Sequence, residues 1–66
     1  MDNIEIINKS IKEIDETIKI LKEHLKNERM TNNLKTRTES KIISLIQTKS
    51  LLKLIRSNLD ENENIL

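Results

Sequence analysis

Ile4, Ile7, Ile11, Ile14, Ile18, Leu21 and Leu25 recur at alternating steps of 3 and 4. That spacing holds one stripe of an α-helix and predicts a seam packed against another helix. Off the stripe in this stretch lie only Ile6 and Ile20, which share one heptad position. A second apolar stretch is patterned differently. Ile42, Ile43, Leu45, Ile46, Leu51, Leu52, Leu54, Ile55 and Leu59 cover most of a helical wheel. A helix apolar nearly all round is buried on more than one side. One partner helix covers one stripe, so this pattern predicts further association.

Capping chemistry places the ends. Asp2 followed by Glu5 forms a capping-box arrangement, and Thr36 followed by Glu39 forms another. Met30-Thr31-Asn32-Asn33 breaks the periodicity, and Asn tolerates the left-handed conformation that often ends a helix. The expected elements are a helix over about 3–31, a turn over about 32–36 and a helix over about 37–60, with residues 61–66 fraying. A short turn between comparable helices predicts an antiparallel hairpin. One continuous helix is the competing reading, because Asn and Thr are poor but legal helix residues. The fold class is therefore all-α: a single helical-hairpin domain over 1–66 that self-associates into a four-helix bundle or coiled-coil assembly.

Composition sharpens this. The chain has no Gly, Pro, Cys, Phe, Tyr or Trp, and its apolar residues are Ile, Leu and Met alone. Sheet corners and tight glycine turns are thereby disfavoured. Disulfides and thiolate metal sites are excluded. Base-stacking platforms and aromatic hot-spot anchors are missing. A chain of 66 residues is marginal as an isolated fold. No apolar run reaches membrane-spanning length and no basic-then-apolar leader pattern occurs, so cytoplasmic residence is expected and a membrane role is not.

The candidate chemistry is sparse. His24 has Glu23 and Glu28 nearby, but a carboxylate-bundle motif needs Glu three residues earlier, where Leu21 stands. Glu13, Asp15 and Glu16 cluster off the seam and read as a solvated face. No Ser has a neighbouring His base, and a phosphate loop needs Gly. The expectation is a non-enzyme with no catalytic residue, metal, cofactor or small-molecule substrate.

Charge is nearly balanced, with 12 basic and 11 acidic residues, but it is unevenly spread. In a hairpin, Lys26, Arg29, Lys35, Arg37 and Lys41 gather at the turn, and Asp2, Glu5, Asp60, Glu61 and Glu63 at the open end. Such a basic tip can meet phosphates or an acidic protein surface. Lys49, Lys53 and Arg56 form a second basic stripe, expected to face solvent and pair with first-helix acids. In the register set by Leu45, Leu52 and Leu59, polar Lys41, Thr48 and Asn62 also fall on the seam.

The expected oligomer and core interface is Ile4, Ile7, Ile11, Ile14, Ile18, Leu21, Leu25, Leu45, Leu52, Ile55 and Leu59. Partner contact is expected at Arg29, Lys35, Arg37, Lys41, Ile43, Ile46 and Leu54. In size and shape the predicted hairpin resembles small plasmid-encoded helical hairpins that dimerise into four-helix bundles and bind RNA. No residue roles carry over from that likeness. The leading expectation is a homo-oligomeric, dimer-favoured protein–protein interaction module acting as a regulator, an inhibitor or a small structural subunit. The alternative is a dimeric RNA or DNA binder that uses the basic turn end.

Overall fold

The computed structural model describes the backbone of residues 2–65 and the side chains of residues 2–61. The chain is an all-α hairpin of α1 (Asn3–Leu25) and α2 (Asn32–Ile65). The overall extents are 54 × 17 × 13 Å. At ~1.5 Å per residue, α2 alone accounts for the long dimension.

α1 starts where the capping pattern put it. The Asp2 carboxylate accepts a hydrogen bond from the Glu5 amide at 2.8 Å, and the Asp2 backbone is extended. This satisfies one of the four free amides of the first turn.

The turn lies earlier than the sequence pattern suggested. α1 ends at Leu25, and residues 26–31 make the reversal. The Lys26 and Asn27 amides donate to the Glu23 and His24 carbonyls, which tightens the last turn. The Asn27 side chain then accepts from the Arg29 amide at 3.0 Å, and its carbonyl accepts from the Met30 amide at 3.2 Å. Asn27 thus bends the chain by an Asx turn. No described residue has positive φ, so the left-handed Asn expected at 32–33 is not used. Asn32 and Asn33 instead begin α2.

The cap of α2 is Thr31, not Thr36. The Thr31 hydroxyl accepts from the Leu34 amide at 3.2 Å, and its carbonyl accepts from the Lys35 amide at 2.9 Å. Thr36 sits inside the helix and donates to the Asn32 carbonyl. At the far end, α2 continues to Ile65 rather than stopping near residue 60.

Two bonds between the helices fix their alignment. Lys49 Nζ pairs with the Asp15 carboxylate, and Arg56 donates to Asn8 Oδ1 at 2.8 Å. Seven residues forward in α1 correspond to seven back in α2, one heptad each, so the rods are antiparallel and in register.

The core is narrow. Ile7, Ile11, Ile18 and Ile42 are its buried apolar members, joined by Thr38. Ile4, Ile14, Leu21 and Leu25 complete the α1 stripe as half-buried residues. On α2 the residues turned inward are Thr38, Ile42, Leu45, Lys49, Leu52, Arg56 and Leu59. This register shares Leu45, Leu52 and Leu59 with the expected one but replaces its other row. Lys41, Thr48 and Ile55 are exposed, and Ile42, Lys49 and Arg56 stand in their place. Ile55 is 48% exposed and takes no part in the α1–α2 core. Asn62 lies outside the described side chains.

Candidate interaction surface

A helix seam has two rows, and in this hairpin they differ. One row of α2 holds Ile42, Lys49 and Arg56, and the other holds Leu45, Leu52 and Leu59 below Thr38. The stems of Lys49 and Arg56 lie along the core while their heads reach polar α1 side chains at its edge. Lys49 retains 25% side-chain exposure and Asp15 49%, so this ion pair is partly screened. Such a pair contributes roughly 0–1 kcal/mol to stability and more to alignment. The expectation that this basic stripe meets α1 acids holds at Lys49. The expectation that it faces open solvent holds at Lys53, which is exposed, and not at Lys49 and Arg56, which are half-buried.

The two rows give the hairpin two unlike flat faces. Where Lys49 and Arg56 emerge, α1 presents Asn8, Lys12, Asp15, Lys19 and Lys22. This is the charged face. On the other face the all-apolar row Ile7, Ile14 and Leu21 meets the row Leu45, Leu52 and Leu59. Heptad geometry puts Ile6 and Ile20 of α1 beside that row, with Leu34, Leu51 and Ile55 of α2. These five are exposed by 47–61%. Between them stand small polar residues, including Ser10, Thr17, Ser44 and Thr48, and the face draws its carboxylate and cations from Glu13, Arg37 and Lys41. It is the low-charge face.

Ile43, Ile46 and Leu54 are exposed as well, but on the back and charged flank of α2. Exposed large apolar side chains therefore belong to two groups. At the turn, Arg29, Arg37 and Lys41 are exposed, and Lys35 is half-buried at the first turn of α2. Lys26 pairs with Glu23 at 3.2 Å within the same helix end. Glu28 and Glu39 also lie in this region, so the tip is basic but interleaved with carboxylates.

Among the described residues, no three His, Cys, Asp or Glu side chains come together as metal ligands. His24 is exposed one heptad beyond Thr17, at the edge of the low-charge face, and borders an open groove with Glu16, Lys19, Ile20 and Glu23, all from one helix. A second groove, bounded by Asp15, Ile18, Lys19, Lys22, Glu23 and Lys26, is likewise made by α1 alone. A groove on one rod does not enclose a ligand. No described helix is long and apolar enough to cross a membrane.

The chain matches no protein-family model, and neither curated proteins nor solved structures yield a significant match.

Proposed function

We propose that this protein is a non-enzymatic helical interaction module that self-associates and, through the assembly, holds another protein as a regulator, an inhibitor or a small structural subunit. The observation that carries this reading is uncovered surface. The chain exposes 5495 Å². A folded monomer of its 7.8 kDa mass would expose about 4,400 Å² by the usual scaling. The excess is roughly 1,100 Å², more than one side of a standard protein interface. A folded particle of twice the mass would expose about 7,300 Å², so pairing to that level would bury roughly 3,700 Å² in all. That falls within the range of obligate homodimers. Eight large apolar side chains among the described residues contribute to it, each 45–61% exposed in the hairpin.

The partner surface in this reading is what a dimer leaves open: Ile43, Ile46 and Leu54, with Arg29 toward the turn. Cytoplasmic residence belongs to the same proposal. Sedimentation across a hundredfold range of concentration tests the self-association. The expected result is a particle larger than the 7.8 kDa chain, with a thermal midpoint that rises with concentration. A folded monomer at every concentration overturns it. Binding of an RNA or DNA oligonucleotide that collapses steeply with salt would move the function to the nucleic-acid reading.

A further inference from the structure

Resting on the self-association just proposed, we infer that a second copy of this chain docks on the low-charge face, with the two turns at opposite ends of the assembly. The choice of face follows from what each would lose on burial. Docking on the charged face would desolvate Lys49, Arg56, Asp15 and the α1 lysines. Docking on the low-charge face covers Ile6, Ile20, Leu34, Leu51 and Ile55 and closes over the half-open row of Ile14, Leu21, Leu45 and Leu52. The small hydroxyl residues on that face let rods approach closely, and its three charged side chains, Glu13, Arg37 and Lys41, are fewer than those of the charged face. Lys49 and Arg56 then act as a specificity device: they leave the seam on one side and so forbid the wrong face.

The orientation follows from charge along the rod. The turn end carries Lys22, Lys26, Arg29 and Lys35, and the open end carries Asp2, Glu5, Asp60 and Glu61. With turns side by side, like charges would meet at both ends. With turns opposed, the basic tip of each copy lies beside the acidic end of the other, so the chain is complementary to itself. The two-fold axis then passes near the middle of α2, at Thr48.

Two experiments on the full chain test this. In the first, Leu51→Lys and Ile55→Lys are compared with Ile43→Lys by sedimentation. All three sites are exposed in the single hairpin, so helix content should persist at high concentration in each. The first two are expected to raise the dissociation constant at least tenfold, and Ile43→Lys less than threefold. The reverse order overturns the face while leaving self-association intact; a wild-type chain that never associates overturns both. In the second, the Cys-free chain receives Thr48→Cys or Arg29→Cys and is oxidised at dilute concentration. Thr48→Cys should cross-link into a covalent dimer, and Arg29→Cys should not. Efficient cross-linking at Arg29→Cys with none at Thr48→Cys overturns the opposed orientation.

Discussion

At the scale of single residues, Thr38 shows how polar groups enter this thin core. It is the one buried polar residue among those described, at 9% exposure, and its hydroxyl donates to the Leu34 carbonyl at 2.8 Å. That carbonyl is one turn back, where it already serves the helix ladder, so the hydroxyl adds little that the backbone lacks. Thr38→Val keeps the shape and replaces the hydroxyl with a methyl group that packs between the rods. The expected gain is about 0.5–1 kcal/mol, read as a higher thermal midpoint. Lys49 and Arg56 behave differently, because their stems already pack and their heads already have partners. Replacing both by Leu should raise the thermal midpoint of the hairpin by extending its seam. It should also remove the two cations that rise from the seam on the charged face, so sedimentation should resolve several associated species instead of one. A single well-defined species in that double variant would deny these residues a role in specificity.

At the scale of elements, the first helix was legible in the sequence almost entirely. Its stripe is pure Ile and Leu, its off-stripe residues are nearly all polar, and Asp2 with Glu5 marks its start. Its end was not legible, because several Asn and Thr residues compete for the turn. Asn27, Asn32 and Asn33 all suit a reversal, and Thr31 and Thr36 both suit a cap. Asn27 and Thr31 take these roles, and the choice is local chemistry that no periodicity reveals. Substitution separates the two caps. Thr31→Ala should cost about 0.5–2 kcal/mol in unfolding free energy, since it frees the Leu34 amide. Thr36→Ala should be neutral or mildly stabilising, because Thr36 lies within the helix and Ala is the better helix former. Equal losses would place the cap elsewhere. The register of α2 was hidden for another reason. Leu45, Leu52 and Leu59 belong to two heptad registers, one completed by Lys41, Thr48 and Ile55 and one by Ile42, Lys49 and Arg56. Counting apolar residues does not separate them. What separates them is that long cationic side chains pack their stems and reach out, whereas Thr48 has neither stem nor reach. The candidate surface was legible as an excess of apolar residues, and its division into two unlike faces became visible only with this register.

At the scale of the whole molecule, the distribution of charge makes a demand that the apolar face alone does not. An interface of Ile and Leu is insensitive to salt, whereas attraction between opposite ends of two rods is screened. Association of the wild type should therefore weaken only a few-fold between low and moderate salt, far less than phosphate binding would. The charged component can be isolated by reversal. Lys26→Glu with Arg29→Glu makes the turn end acidic, and both side chains are exposed and outside the seam, so the hairpin should persist by circular dichroism. In the opposed orientation these groups meet the acidic open end of the other copy at both ends of the dimer. Exposed pairs contribute roughly 0.2–1 kcal/mol each, so the dissociation constant should rise about tenfold. Adding Glu5→Lys and Glu61→Lys to the same chain sets two cations at the open end against the new carboxylates and should restore association toward the wild-type value. The changed open end alone should weaken association as the changed turn does. Recovery in the quadruple variant, measured by sedimentation at low salt, is a result that neither general charge repulsion nor lost stability produces. Failure to recover, with the hairpin still folded, would mean that the two ends do not meet.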